Sequence, residues 1–191
     1  MTIIVRWTDW EGAGLELCAL REDADGLSLE GTLVGTREGL YGASYQVRTD
    51  ARFRTREVEV RYAGGARLHV ASDGAGRWFD LLHNASLPDL DGCLDVDIGV
   101  TPATNTLPIR RLNLAANESR DIVVAYVPLP SQITGSFRPT RADQRYTCLA
   151  PERSYRYEGL FRSFVADLDI DAAGLVLDYP PMFRRVSEAA R

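Results

Sequence analysis

Strict two-residue alternation of apolar and polar side chains is the feature that most narrows what this chain can fold into. Leu15-Glu16-Leu17-Cys18-Ala19 alternates, as does Leu27-Ser28-Leu29-Glu30-Gly31-Thr32-Leu33. Tyr41, Ala43, Tyr45 and Val47 share one face of the next stretch, with Ser44, Gln46 and Arg48 on the other. Val58, Val60 and Tyr62 oppose Glu57, Glu59 and Arg61, and Phe164, Ala166, Leu168 and Ile170 oppose Asp167, Asp169 and Asp171. Such segments are half-buried strands with one face on a core and one in water, the mark of antiparallel sheet.

Turn chemistry separates the strands. Asp25-Gly26, Gly64-Gly65, Asp73-Gly74 and Gly174 supply positions that tolerate positive φ. Strand spacings of about 8–14 residues predict a sandwich or barrel. Ile122–Val127 is apolar on both faces, so Ser119–Val127 is expected to be a central strand. The best candidate for a helix is a short one from about Met182. A faint repeat is also visible: Asp73-x-x-Gly76-x-Trp78-x-Asp80 echoes Asp171-x-x-Gly174-x-Val176-x-Asp178. The expectation is one all-β domain over 1–191, either an antiparallel barrel-like fold or two strongly curved antiparallel sheets with an apolar interior. An internal duplication is compatible with either.

Composition excludes several chemistries. All 22 basic residues are arginine, which removes Schiff-base lysines, phosphate-loop lysines and Ser–Lys dyads. A net charge of −5 and scattered arginines argue against a nucleic-acid partner. Three distant cysteines, Cys18, Cys93 and Cys148, with no signal-like or membrane-spanning segment predict a reduced cytoplasmic protein. Two histidines and no CxxC pair give no basis for a metal or other cofactor. Asp167-x-Asp169-x-Asp171 imitates calcium-loop spacing, but Ala172 stands where the loop needs glycine.

The least generic stretch runs from Gly92 to Leu112. Asp95 and Asp97 are two apart on a strand, so their carboxylates share a face roughly 7 Å apart. Pro102 and Pro108 predict extended or turn geometry at Thr101 and Leu107. Thr104, Asn105 and Thr106 can bond the segment's own backbone, and Arg110 and Arg111 are expected on opposite faces of a following strand. Three functions fit. An Asp–Arg pair can simply pin the crossover, as in a structural or protein-interaction module with a solid core. The cluster can instead grip a polar head group at a cavity mouth, where arginine's fork of donors is suited to sugars or phosphates. Or Asp95 and Asp97 can act as the carboxylate pair of a hydrolase of glycosidic or ester bonds, which requires roughly 5–9.5 Å between them.

The core Thr101-Pro-Ala-Thr-Asn-Thr-Leu-Pro-Ile-Arg-Arg-Leu112 resembles the signature of the putative glycolipid-binding family of bacterial proteins. So do Trp7, Glu16, Asp73…Gly76…Trp78, Gln144-Arg-Tyr146, Tyr155-x-Tyr157 and Asp178-Tyr-Pro180…Phe183. The resemblance spans essentially the whole chain. It implies a mainly-β, barrel-like fold with an apolar interior, similar in shape to lipoprotein-localisation factors. It also implies a glycolipid or other amphipathic ligand rather than a reaction. Trp78, Tyr146 and Tyr157 thereby join Asp95, Asp97, Asn105, Arg110 and Arg111 as candidate ligand-binding residues. Ala103 departs from the family pattern, where a large aromatic is usual, and a wider pocket follows if that position lines it.

Overall fold

The computed structural model describes residues 1–186. Fifteen strands form one sheet, and all neighbouring pairs but one are antiparallel. Its first half is a meander: β1 (Thr2–Asp9), β2 (Leu15–Glu22), β3 (Leu27–Gly35), β4 (Tyr41–Thr49), β5 (Thr55–Tyr62), β6 (Arg67–Ser72), β7 (Trp78–Asp80) and β8 (Ala85–Ser86). The other strands are β9 (Asp95–Ile98), β10 (Ser119–Val127), β11 (Thr140–Ala150), β12 (Ser154–Gly159), β13 (Phe164–Ile170), β14 (Val176–Tyr179) and β15 (Phe183–Arg185). β15 pairs with β1 and joins the halves, giving the order β8-β7-β6-β5-β4-β3-β2-β1-β15-β14-β13-β12-β11-β10-β9. The sheet does not close, but it rolls until its last strand meets its first half. Thr55 N–H donates to the Leu94 carbonyl and Val96 N–H to Thr55 Oγ1.

Alternation places the side chains as expected on most strands. Leu27, Leu29 and Leu33, then Ala43, Tyr45 and Val47, then Val58, Val60 and Tyr62 all point into the roll. β2 differs. Leu15 and Leu17 are exposed, while Glu16, Cys18 and Leu20 face inward. Gly31 and Gly35 on β3 make room for this, because a Cβ at either would collide with the ring of Tyr45 or Tyr41 leaning across from β4. The repeat seen in sequence is a shared turn. Asp73 Oδ1 accepts from the amides of residues 75 and 77, and Asp171 Oδ1 from those of 173 and 175. In both turns the aspartate's own amide bonds the carbonyl four residues on.

Two sequence expectations are corrected. Met182 lies in a turn and Phe183–Arg185 form strand β15 rather than starting a helix; positions 187–191 of that expected helix lie outside the described residues. The helix of the described residues is instead α1 (Thr106–Leu112), preceded by a 3₁₀ turn at Ala103–Asn105. Pro108 is tolerated in its first turn, where backbone amides have no intrahelical partner. β9 and β10 are the parallel pair, and parallel neighbours need a crossover, usually helical. Residues 99–118 make that crossover, and its Val100–Ile109 part is buried throughout. Val96, Ile98, Val100, Ala103 and Leu107 pack into one core with Trp7, Leu29, Val47, Val60 and Trp78. The roll therefore has an apolar interior, and a segment of the chain itself fills it.

Candidate functional site

The eight residues picked out by sequence separate into four places. Asp95 is fully buried and accepts from two nitrogens of the Arg111 guanidinium, Nε at 3.0 Å and Nη2 at 2.6 Å. Burial pushes its carboxyl upward and Arg111 pulls against that; the fork-on-fork geometry is that of a carboxylate ion pair. Arg110 leaves the same last turn of α1 in another direction. It bonds Glu22 at 2.6 Å and the Ala173 carbonyl at 3.2 Å, and lies over the Phe53 ring. Arg110 and Arg111 are thus on a helix rather than on two faces of a strand, and Arg110 does not pair with Asp97. Trp78 sits in the core, its indole N–H donating to the Cys93 carbonyl.

The remaining four come together. Asp97 accepts from Gln144 Nε2 at 2.7 Å, and burial pushes its carboxyl upward. Asn105 donates to the Pro102 carbonyl and accepts from the Tyr146 hydroxyl at 2.8 Å. Tyr146 is buried behind it and Tyr157 packs on Tyr146 edge to face. Asp97, Asn105 and Tyr157 line an open cleft of about 260 Å³. Tyr126, Phe161, Phe164, Tyr179 and Phe183 supply its other walls, and the Arg162 guanidinium carbon lies 4.6 Å from the Tyr126 ring centre and 4.8 Å from that of Phe161. Asp95 does not reach it. With one carboxyl held by Arg111 and the other in the cleft, Asp95 and Asp97 do not present the two free acids that glycosidic hydrolysis uses. Ala103 is wholly buried within the crossover and lines neither this cleft nor the next.

A second cleft, about 340 Å³, adjoins the first and shares Arg37, Met182 and Phe183 with it. Arg37 belongs to the β3–β4 loop and crosses the boundary, donating to Met182 Sδ at 2.8 Å and to the Gly99 carbonyl. Next to it, Glu38 is tied to Ser131 and Gln132. Trp10, Tyr41, Leu33, Val34 and Phe183 wall this cleft, and Glu16 lies on its floor. Glu16 Oε1 accepts from the Tyr45 hydroxyl at 2.5 Å and from Thr101 Oγ1 at 2.7 Å. Burial raises its carboxyl to about 7, against the pull of those two hydroxyls. Oε2 is buried with no hydrogen-bond partner.

Glu16, Arg37 and Arg162 line these clefts but were not among the candidate site residues, although the family resemblance included Glu16. For Glu16 a signal existed: it shares the phase of Cys18 and Leu20, so choosing that face of β2 as inward exposes a carboxylate to the core. The crossover helix had one too, because a short strand and a strand apolar on both faces bracket it, as in a parallel unit.

Comparison with known proteins agrees with this architecture. A crystal structure of a DUF1089 family protein from Pseudomonas aeruginosa is similar at 38% identity, with a TM-score of 0.77 over 91% of this chain and 92% of that one. Comparison with curated proteins finds no match. The family described as "Putative glycolipid-binding" matches residues 4–185, and with its mainly-β rolled sheet this chain belongs to that family.

Proposed function

We propose that the protein binds one amphipathic molecule of the glycolipid class across the two adjoining clefts. Its polar head would lie against the carboxyl groups of Glu16 and Asp97 and its apolar part along the aromatic and aliphatic walls. One observation carries this reading: two open, largely apolar clefts meet at Arg37, Met182 and Phe183, and each has an acid among its walls, Glu16 buried in one and Asp97 half-buried in the other. Ligand sites are of this kind, mostly apolar with a few placed polar groups, and span roughly 300–1,000 Å³. One cleft is at the small end of that range and the other falls just below it, so a head group with a chain needs both. The interior of the roll is taken by the crossover, so the ligand is expected in these surface clefts and not inside the sheet.

Native mass spectrometry and calorimetric titration with octyl and dodecyl glucoside test the proposal. Tighter binding of the longer chain is expected, since each buried methylene contributes about 0.8 kcal/mol. Phe161→Ala removes a half-exposed wall of the aromatic cleft and is expected to weaken binding by roughly tenfold, the cost of about 1.4 kcal/mol of lost contact. Absence of binding by both amphipaths, or binding unchanged in Phe161→Ala, would remove the basis for the proposal.

A further inference from the structure

The two cleft floors make different demands on a ligand. In the aromatic cleft the polar groups are largely engaged by the protein. Asp97 is held by Gln144, and Asn105 uses both ends of its amide. In the neighbouring cleft Glu16 gives two hydrogen bonds' worth of acceptance to one oxygen and none to the other. The residue is 4% exposed, so bulk water does not supply the missing partner. A buried carboxylate oxygen without a donor costs about 1–3 kcal/mol or more, and buried polar atoms in native proteins are nearly always satisfied. The arrangement is also built rather than incidental: Gly31 clears the path of Tyr45 to Glu16, and Thr101 approaches from the crossover.

What surrounds the open oxygen narrows the chemistry of the group it awaits. Trp10 and Tyr41 offer partly exposed rings, and Asp9, Thr36 and Arg37 add polar atoms at the rim. Aromatic faces combined with a few acceptors suit a ring that is apolar on its face and hydroxylated on its edge. Resting on the proposed binding of an amphipath, we infer that the Glu16 cleft is the saccharide subsite, with a ring hydroxyl donating to Glu16 Oε2. The chain of the same molecule then runs past Arg37 and Met182 into the aromatic cleft. The head is thereby placed at Glu16 rather than at both carboxyl groups.

Proton accounting tests the assignment. A hydroxyl donated to Oε2 favours the ionised acid, so binding at pH 7 expels a proton from the molecules in which Glu16 is still protonated. The other titratable and charged groups near Glu16 are Cys18 on β2, Tyr41 and Tyr45 on β4, Asp9 and Arg37 at the rim, and Arg185 from β15. Cys18, Tyr41 and Tyr45 are all pushed upward by burial, so they stay protonated across the range used.

Octyl glucoside is titrated calorimetrically at pH 6, 7 and 8 in buffers of different ionisation enthalpy, with wild-type protein and Glu16→Gln. For an acid titrating near 7, the ionised fraction rises about tenfold from pH 6 to 8, and wild-type affinity is expected to rise by about the same factor. About half a proton should leave per ligand at pH 7, and Glu16→Gln should lose both signatures and bind about tenfold more weakly at pH 8. Free glucose is run alongside. A matching Glu16-dependent response to glucose supports a free saccharide as the source, and a response to octyl glucoside alone supports a lipid head group. Wild-type binding with no proton release overturns the Glu16 assignment while leaving amphipath binding intact, and that result needs no folded variant. Failure of the wild type to bind octyl glucoside at any pH removes amphipath binding itself and the assignment with it.

Discussion

Asp95 and Glu16 are two acids buried at the seam between the rolled sheet and its crossover, and their surroundings treat them oppositely. The crossover sends a guanidinium to Asp95, from Arg111 at 2.6 Å. To Glu16 it sends only a hydroxyl, from Thr101, beside the hydroxyl of Tyr45. A matched fork neutralises Asp95 and uses its oxygens, so that region pins the fold. Two neutral donors on one oxygen leave Glu16 close to its own titration and with an oxygen to offer. Burial of an acid thus does not by itself mark a functional site; what meets the carboxyl does.

The largest expected effect separates the two regions by stability. Arg111→Ala leaves Asp95 charged and alone, and urea unfolding at neutral pH should show a loss of about 3–5 kcal/mol. The paired replacement Asp95→Leu with Arg111→Met should recover most of that loss, since apolar groups of similar volume substitute well for a buried ion pair. A loss below about 1 kcal/mol in the single variant would mean that the pair does not hold the crossover.

The next effect belongs to Glu16 and depends on pH. Its folded carboxyl titrates at about 7 against an ordinary 4.5, so the native state keeps the proton that the unfolded chain releases. Stability from this group is full below about pH 4.5 and is lost as pH rises to about 7, in total roughly 3 kcal/mol. Glu16→Gln stays neutral and lacks this slope. Unfolding midpoints of the two proteins at pH 4.5 and pH 8 should therefore diverge, the variant gaining relative stability at the higher pH. Parallel pH profiles would place Glu16 in the same class as Asp95.

The smallest effect calibrates both. Arg156 and Asp167 face each other on β12 and β13 at 2.8 Å, about half exposed. Asp167→Asn should change stability by less than about 1 kcal/mol, and less still in high salt. A larger, salt-independent loss would show that ion-pair geometry outweighs burial here.

Much of the sheet was legible because alternation is a property of neighbours two apart. The inward residues of β3, β4, β5 and β13 follow from it, and so do the turns at Gly26, Gly64, Gly65, Gly74 and Gly174, all with positive φ. The candidate site was legible only in part. Asp97, Asn105 and Tyr157 do share a cleft, but Arg110, Arg111, Asp95 and Trp78 serve other parts of the fold. On β2 the periodicity was right but left the inward face undecided, because Leu15 and Leu17 are as apolar as Cys18 and Leu20.

What the sequence determined alone is therefore the local part: period-two strands, the turns that glycine and aspartate permit, and a mainly antiparallel class. The tertiary structure decided which face of β2 turns inward, where Arg110 and Arg111 reach, and that residues 100–109 form the filling of the roll. The physical reason is the same in each case. A segment surrounded by protein on every side needs no apolar stripe, so its helix leaves no periodic trace. The partner of a buried charge is chosen by closure of the chain over distance, here sixteen residues for Asp95 and eighty-five for Glu16, and no local pattern records that choice.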